Sequence, residues 1–562
     1  MNTQYIEHNG SRYAEPAEIK QISVKVNCSS STAINAGGVP VISDGKSAYV
    51  LDHDCHSVIF GATGSKKTRN IIKPSLVLLA KHGESMIVND PKGELYKMMK
   101  CLLDELGYKT HVLNFRDACT GSRWNPFTIV YKLYKNGEVD KSNMYIRDIA
   151  KCMYSQLASN CNDAFWTNSS EDYFTGLAQL IRDNAGEEVL TIENIRLTHN
   201  LGNEKVGTSR YINEFCSHID FDSETVANLN GTIQAPNDTR ESIRSVFANP
   251  LSLYSQDSLC DMLFKSDFEF SMIGKEKTAV FLITPDERTI YNPIISSFVK
   301  LSYGALIDTA EGAECKGVLP IRVNYMLDEF GNLPCIADFN SMITAGRSRN
   351  IRFNLCVQSL AQLYKTYSET IAENIIANCE AWYILRSNDD KLHDRLKKMC
   401  GTHISEHLRT EKALIDTMSI QRLKKERGEV LIKILGQYPF VTELPDIDDY
   451  DFNLPMPSEV NFTKRIAVKR VLFDIRLFVK ELRAKKLAEK LPVSTEKTLT
   501  EIEDLEGIIS KIDKKILELE ASEAKERKER KANPDSLPKS KPLPKNRNVP
   551  PQERLTRKKK EE

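Results

Sequence analysis

Short apolar runs alternate with stretches of helical periodicity near the start of the chain. Residues 58–60, 85–88 and 109–115 have the length and composition of strands, and apolar positions at helical spacing follow the first two, over 71–79 and 95–106. Strands that alternate with helices are typical of a parallel sheet covered by helices, which binds its ligands beyond the carboxyl ends of the strands. The pattern therefore predicts an α/β fold with a ligand site at one edge of the sheet.

The same alternation returns in the second half of the chain. Strand-like runs end at Ile283, Leu327, Val357 and Leu385, and helical stretches separate several of them. The pattern ends near residue 445, where we place the end of the sheet domain.

Between these two parts, strand signals are absent. Apolar residues recur at helical spacing in 146–153 and again in 174–181, and polar turns separate the helical segments. This part is predicted to be an all-helical domain inserted into the sheet domain. The predicted organisation is a small β-rich segment at 1–50, a nucleotide-binding domain in two parts at 51–135 and 251–450, an inserted all-α domain at 136–250, and a C-terminal extension at 451–562.

The C-terminal extension changes character along its length. Apolar residues at 502, 505, 509, 512, 516 and 519 form a short heptad seam, which fits either a coiled coil or a single amphipathic helix packed on the core. After residue 521 the chain is rich in charged residues and then in proline, a composition that predicts disorder. Its basic end, 557–560, is either a solvated tail or a contact for DNA or acidic lipid.

Net charge, cysteine content and the lengths of the apolar runs exclude some classes of protein. Among 562 residues there are 77 basic and 77 acidic side chains, so net charge gives no global signal for nucleic acid or an anionic membrane. Thirteen cysteines without a CxxC pair favour a reduced, cytoplasmic protein over a disulfide framework. The sequence begins without a signal-peptide pattern, and no run approaches the roughly 18–20 apolar residues of a membrane span, so we expect no transmembrane helix.

The most informative motif lies between a predicted strand and a predicted helix. It consists of Gly61, Ala62, Thr63, Gly64, Ser65, Lys66, Lys67 and Thr68. This pattern is close to a P-loop, in which backbone N–H groups and the helix N-terminus bind phosphates. Lys67 is the candidate for binding the β- and γ-phosphates of ATP, and Thr68 the candidate ligand of Mg²⁺. Lys66 stands where the P-loop pattern has glycine, so the pattern predicts nucleotide binding more directly than it predicts hydrolysis.

A pair of acidic residues follows the strand that ends at Leu327. In a P-loop ATPase, Asp328 would hold the Mg²⁺ shell and Glu329 would orient or deprotonate the attacking water. An acidic pair after a strand is also common as a solvated turn. Because it occurs together with the P-loop, we interpret it as part of an ATP site.

Three further positions are candidates near the predicted strand ends. Arg347 and Arg349 lie just before the strand at 353–357, where they are either solvated or, in an oligomer, contact the γ-phosphate held by a neighbouring subunit. Gln358 ends that strand and is a candidate sensor of the γ-phosphate. Asp90 ends an earlier strand, and an Asx turn before Pro91 is its preferred interpretation over a nucleotide contact.

The chain resembles the conjugative coupling proteins, the TraG-type ATPases of type IV secretion, over about residues 55–450. Besides the P-loop, the resemblance rests on DPKGEL at 90–95, WNPF at 124–127, SDF at 266–268, LDEFGNLP at 327–334, GR at 346–347 and QSLAQL at 358–363. It implies a RecA-like, hexameric ATPase with an inserted all-α domain that uses ATP and Mg²⁺. By matching motif, Lys67 and Thr68 would hold phosphate and metal, and Asp328 and Glu329 would serve metal and water. Arg347 would be the trans-acting arginine finger, with Arg349 as the competing candidate, and Gln358 the γ-phosphate sensor.

This resemblance implies a motor that recruits a relaxase-bound single strand of DNA and feeds it to a type IV secretion channel. The usual N-terminal membrane helices of the family are absent from the sequence, so we expect a peripheral location at the inner face of the bacterial membrane, through a partner or a separately encoded anchor. Two other functions stay open: a non-catalytic nucleotide-binding adaptor between relaxosome and channel, and an FtsK-like translocase of double-stranded DNA.

Overall fold

The computed structural model describes residues 10–30, 33–158, 163–220, 222–285, 287–404, 411–456 and 462–490. The first elements of the described residues are a short helix and a small antiparallel sheet whose central strand is the last of its three strands in sequence. These elements are α1 (Pro16–Gln21), β1 (Val24–Asn27), β2 (Pro40–Ser43) and β3 (Ser47–Val50). The seam at 502–519 and the basic end of the chain lie outside the described residues.

The first part of the large sheet follows directly. Its elements are β4 (His56–Phe60), a π-helical turn (Thr68–Ile72), α2 (Lys73–His82), β5 (Ser85–Asn89), α3 (Glu94–Glu105) and β6 (Lys109–Asn114). Alternate residues of β4 enter different cores: Val58 and Phe60 face one side of the sheet, and Ile59 faces the other. This period of two is expected for a strand that is covered on both faces.

The chain then becomes helical, apart from a hairpin of two very short strands. The elements are α4 (Thr128–Lys135), α5 (Val139–Ala158), α6 (Ala164–Asn184), α7 (Ile192–Gly202), β7 (Lys205–Val206), β8 (Ser209–Arg210), α8 (Tyr211–His218), α9 (Glu224–Ile233), α10 (Asn237–Leu251) and α11 (Asp257–Met262). Phe174, Leu177 and Phe247 pack into the same core as Val58 and Phe60 of β4. The helical part therefore shares its core with one face of the sheet, and the domain limits at 136 and 250 stay a prediction.

The second part of the sheet completes the fold. Its elements are α12 (Phe270–Ile273), β9 (Thr278–Ile283), α13 (Asn292–Glu311), β10 (Val323–Leu327), α14 (Phe339–Gly346), β11 (Ile351–Val357), α15 (Leu360–Tyr367), α16 (Glu369–Ala377), β12 (Cys379–Ile384), α17 (Asp390–Cys400), β13 (Thr402–Ile404), β14 (Glu411–Ala413), α18 (Thr417–Gln421), β15 (Glu429–Ile434), β16 (Phe440–Glu443) and α19 (Ile475–Lys490).

Within the described ranges, nine strands form the large sheet in the order β16-β15-β12-β4-β11-β10-β5-β9-β6. All neighbouring pairs from β12 to β6 are parallel, and β15 and β16 add an antiparallel edge. The carboxyl ends of the parallel strands therefore meet at one edge of the sheet, where a ligand site is expected. None of the helices in the described part of the chain has the length and apolar character needed to cross a bilayer.

A strap formed by residues 462–482 runs outside β6 and reaches the helical part. Arg465 donates to the carbonyl oxygen of Gly121 at 3.3 Å and to Oδ2 of Asp261, which precedes the end of α11, at 3.0 Å. Further along, the side chains of Phe473 and Ile475 are buried in the core that contains the helices of the insert. The strap thus attaches the edge of the sheet to the helical part.

Gly428 precedes β15 and lies against the backbone of Leu444 and the side chain of Asn70. Its φ is +70°, and an added Cβ would lie 1.9 Å from the carbonyl oxygen of Leu444 and 2.5 Å from Nδ2 of Asn70. Gly428→Ala should therefore lower the free energy of unfolding by about 2–4 kcal/mol, through backbone strain and overlap together. Urea unfolding of the purified protein is the measurement.

Gly436→Ala is the matched control for that variant. Gly436 also has a positive φ, +78°, but an added Cβ would meet nothing within 4 Å. It should cost only about 1 kcal/mol, from the left-handed backbone alone. Equal losses in the two variants would show that the contact with Leu444 does not restrict residue 428.

Candidate functional site

The loop between β4 and the π-helical turn is built on two glycines. A Cβ at Gly61 would lie 2.5 Å from Oγ of Ser65, so the loop closes on itself only with glycine at that position. Gly64 has a φ of +75° and open space around it, at the crest of the loop. A close turn followed by a helix N-terminus is the backbone arrangement that binds phosphate oxygens in P-loops.

The two lysines of the loop point to different partners. Lys67 is buried, and its Nζ donates to the carbonyl oxygen of Gly61 at 2.5 Å, inside the loop. Lys66 has a φ of +66°, the left-handed conformation that glycine adopts without strain, and its Nζ lies 3.4 Å from Oδ2 of Asp446. Lys66, which departs from the P-loop pattern, therefore keeps a glycine-like backbone. Its ammonium group contacts a carboxylate that is distant only in sequence.

Gln358 connects the loop to the acidic pair. β11 lies between β4 and β10, and Gln358 follows its last residue. The hydroxyl of Thr63 donates to Oε1 of Gln358 at 3.3 Å, and Nε2 of Gln358 donates to Oε2 of Glu329 at 2.6 Å. One amide side chain thus joins the P-loop to the residue proposed to activate water.

Asp328 is a buried carboxyl group at the end of β10. Burial and the neighbouring Glu329 carboxylate raise the pKa of Asp328 to about 7, although Lys67 and a hydrogen bond from the Glu329 N–H favour its ionised form. Its main-chain carbonyl accepts from Nδ2 of Asn89 at 2.6 Å, and Oδ1 of Asn89 accepts from the Thr284 hydroxyl at 3.0 Å. The ends of β5 and β9, which lie on one side of β10, therefore fix the backbone that carries the Asp328 side chain.

Glu329 occupies an unusual backbone conformation. Its φ of +54° is left-handed, which is uncommon for a residue with a side chain. Oε2 of Glu329 accepts from Nδ2 of Asn332 at 3.3 Å as well as from Gln358. Strained residues of this kind are concentrated at functional sites, and Glu329 lies where the chain passes from β10 into the short helical turn Phe330–Asn332.

The residues at this edge have the chemistry that a nucleotide and its metal require. Ser65 Oγ is buried and has no hydrogen-bond partner in the described part of the chain, and it lies in the loop that would hold the phosphates. Lys67 supplies a buried cation, and Asp328 supplies a buried carboxyl group whose ionised form Lys67 favours. Thr68 begins the helical turn next to Lys67 and offers a hydroxyl group as a second oxygen ligand for Mg²⁺.

Asp90 has a structural role at this edge. Its Oδ2 accepts the backbone N–H of Tyr96 in the first turn of α3 at 2.9 Å, and its carbonyl oxygen accepts from the N–H of Gly93. Burial raises the pKa of its carboxyl group. The carboxylate of Asp90 thus binds the first turn of α3, and its role in an Asx turn before Pro91 stays a prediction.

The two candidate arginines lie at the amino ends of the parallel strands, opposite the carboxyl ends where the P-loop lies. They precede β11, whereas Gln358 follows it, and the seven residues of that strand span about 20 Å. Arg347 is exposed, and its side chain has no hydrogen bond or ion pair within the described residues. Arg349 instead donates to Oε1 of Glu311 at 3.1 Å. The structure brings the P-loop, Asp328, Glu329 and Gln358 together, and it separates both arginines from them within one subunit.

Sequence reasoning missed several residues that shape this site. Asn89 and Thr284 position the carbonyl of Asp328, and the carbonyl oxygen of Arg386 accepts the N–H of Ala62 at 3.1 Å. Asp446 binds Lys66 from a position 380 residues further along the chain. A polar residue at the end of β5 was a visible signal for Asn89, but the sequence contains no local signal for Asp446.

Curated relatives match part of the sequence. Protein VirD4 of Rhizobium radiobacter is 25% identical over 174 residues, which are 30% of this chain and 25% of VirD4. The chain thus matches about a quarter of the length of that curated relative.

Solved structures of the plasmid coupling protein TrwB resemble the chain over a larger share. TrwB in complex with the non-hydrolysable ATP analogue ADPNP has a TM-score of 0.56 and 14% identity, over 82% of this chain and 96% of TrwB. TrwB in complex with ADP and Mg²⁺ gives the same values. This likeness confirms the predicted RecA-like α/β fold.

The family described as "Type IV secretory system Conjugative DNA transfer" has a sequence model that matches residues 1–427. This match covers well over half of the 562 residues. The chain therefore belongs to the family of type IV secretory proteins of conjugative DNA transfer.

Proposed function

We propose that this protein is an ATP-driven coupling protein that recruits a relaxase-bound single strand of DNA and delivers it to a type IV secretion channel. The observation that carries the proposal is the link from Thr63 through Gln358 to Glu329, which joins the P-loop to the acidic pair at one edge of the sheet. Membership of the conjugative DNA-transfer family supports the biological role.

ATP and Mg²⁺ are the proposed cofactors. The backbone of residues 61–68 would bind the phosphates, Lys67 would bind the β- and γ-phosphates, and Thr68 and Asp328 would hold the metal. When bound, Mg²⁺ would neutralise charge on the phosphate oxygens. The TrwB complexes with ADPNP and with ADP and Mg²⁺ support this assignment, because their fold is the one found here.

The proposed reaction is hydrolysis of the bond between the β- and γ-phosphates. A water molecule attacks the γ-phosphorus, the bond to the bridging oxygen breaks, and ADP and inorganic phosphate are formed. Glu329 orients the water and accepts its proton, and its carboxylate is held by the amide groups of Gln358 and Asn332. Gln358 contacts both the loop and the acid, so a change at the γ-phosphate would reach Glu329 through it.

Arg347 is proposed to complete the site of a neighbouring subunit. In a ring with head-to-tail contacts, two different surfaces of the same chain face each other. Arg347 lies at the opposite edge of the sheet from its own P-loop and is exposed, as a residue that acts on a neighbour must be. Arg349 is the weaker candidate because it already pairs with Glu311. The active form would be a homo-hexamer.

The partners are proposed from the family alone. Single-stranded DNA would be bound mainly through its phosphates, which makes binding sensitive to salt. The helical insert and the extension after residue 455 would select the relaxosome, because the ATP site itself carries no information about the partner. A location at the inner face of the bacterial membrane would depend on channel proteins or on a separate anchor.

Lys67→Ala and Glu329→Gln should separate binding from hydrolysis. Lys67→Ala removes the phosphate-binding cation and should abolish both mant-ATP binding and DNA-stimulated ATP turnover. Glu329→Gln keeps the shape of the side chain, so it should bind mant-ATP within about threefold of wild type while turnover falls by about 100-fold or more. Glu105→Gln, exposed at the end of α3, is the control. Undiminished turnover in Lys67→Ala would show that the ATP site lies elsewhere.

A mixing experiment tests whether Arg347 acts across a subunit boundary. Arg347→Ala and Glu329→Gln should each be inactive alone, but subunits assembled together should regain part of the activity, since some interfaces then combine an intact Glu329 with an intact Arg347. Steady-state ATP turnover of co-assembled rings is the measurement. Arg349→Ala should retain most of its turnover. If Arg349→Ala is inactive and Arg347→Ala is active, the finger is Arg349.

The raised pKa of Asp328 predicts how stability changes with pH in protein free of nucleotide and metal. Between the ordinary carboxyl pKa, about 3.9, and the folded-state value of about 7, the folded protein keeps a proton that the unfolded chain has lost. Stability should therefore fall as pH rises through this window. Relative to Asp328→Asn, wild type should lose on the order of 2 kcal/mol between pH 5 and pH 8 in urea unfolding. Parallel pH profiles would show that Asp328 is not perturbed.

A further inference from the structure

The backbone of Lys66 requires an explanation that the P-loop alone does not give. Its φ is +66°, and the P-loop pattern has glycine at this position. A residue with a Cβ favours the right-handed region, so a lysine left to itself would tend to leave this conformation. Such a rotation would reorient the peptide group that follows, and with it the N–H of Lys67, relative to the preceding part of the loop.

Asp446 is the group that contacts Lys66. Its side chain is largely buried, 14% exposed, and lies between two cations of the P-loop region. Oδ2 of Asp446 lies 3.4 Å from Nζ of Lys66 and accepts from Nε of Arg69 at 2.8 Å. These two partners, Arg69 foremost, hold the pKa of Asp446 below its usual range, so the group is a carboxylate at neutral pH.

The segment that carries Asp446 is itself fixed to the start of the P-loop helix. Nδ2 of Asn70 donates to the carbonyl oxygen of Leu444 at 2.7 Å, and the N–H of Leu444 donates to the carbonyl oxygen of Gly428 at 2.9 Å. Asp446 also accepts the N–H of Asp448 at 3.5 Å, which holds its own carboxylate in place. The carboxylate therefore approaches Lys66 from a defined direction.

We propose that Asp446 is a positioning residue of the nucleotide site, which holds Lys66 in the glycine-like conformation that phosphate binding requires. This inference rests on the proposed ATP-binding function. Asp446 does not contact the phosphates in this arrangement. It acts through Lys66, while Arg69 holds the Asp446 carboxylate in place, and it makes a P-loop without its second consensus glycine competent to bind ATP.

A cycle of variants at positions 66 and 446 tests the proposal, with mant-ATP and Mg²⁺ as the probe. In the wild-type background, Asp446→Asn should weaken mant-ATP binding about tenfold, because Lys66 is no longer held. In the Lys66→Gly background the same change should weaken binding less than about twofold, because glycine adopts a positive φ without help. Equal effects in the two backgrounds would overturn the proposal. Tighter binding in Asp446→Asn would also overturn it, since Lys66 would then be a phosphate ligand that Asp446 withholds.

Two controls separate positioning from general stability. Asp448 is exposed and pairs with Arg69 but has no contact with Lys66 among the described residues, so Asp448→Asn should leave the Kd of mant-ATP within about twofold. Asp446→Glu keeps the charge and should recover part of the affinity lost in Asp446→Asn. If Asp446 only stabilised the fold, Asp446→Asn would lower the Tm equally in both backgrounds and Lys66→Gly would not rescue binding. Absence of mant-ATP binding in the wild type would instead contradict the proposed function.

Discussion

The register of three adjacent parallel strands is the constraint on which the site depends. Phe60 pairs with Val357 across β4 and β11, and Leu327 pairs with Leu355 across β10 and β11. The P-loop, Gln358 and the acidic pair follow directly from these strand ends. A shift of one residue in either pairing would exchange the faces of the sheet that the side chains occupy, and both faces are buried. The hydrophobic cores on the two sides therefore fix the relative positions of groups that are nearly 300 residues apart in sequence.

Burial gives this site its electrostatic character. Lys67 and Asp328 are both largely excluded from water, and burial makes the charged form of each group costly without a partner. The left-handed backbones of Lys66 and Glu329 add strain at the same edge. A bound phosphate and metal ion would give these buried charged groups partners. Binding would therefore offset the free energy that desolvation and backbone strain cost in the free protein.

Much of this arrangement could be predicted from the sequence, because its signals are local. The alternation of strands and helices, the glycines of the loop and the acidic pair after β10 all depend on neighbouring residues, and the RecA-like fold predicted from motif resemblance is confirmed. The contacts of Asp446 with Lys66 and of Asn89 with the carbonyl of Asp328 depend on tertiary packing instead. No periodicity or spacing encodes them, because the partners lie on separate elements. The same limit applies to the helical part, whose periodicity showed the helices but not that they share a core with the sheet.

The strap at 462–482 has a mechanical consequence. The helical part leaves the sheet after β6 and returns before β9, and these two strands are neighbours. Two adjacent points of attachment define an axis about which a body can rotate. The contacts of Arg465 with Gly121 and Asp261 add a further link at this junction, and Phe473 and Ile475 of the same strap are buried in the core that contains the helices. Rotation of the helical part about the two chain crossings would therefore have to break the contacts of the strap and expose Phe473 and Ile475.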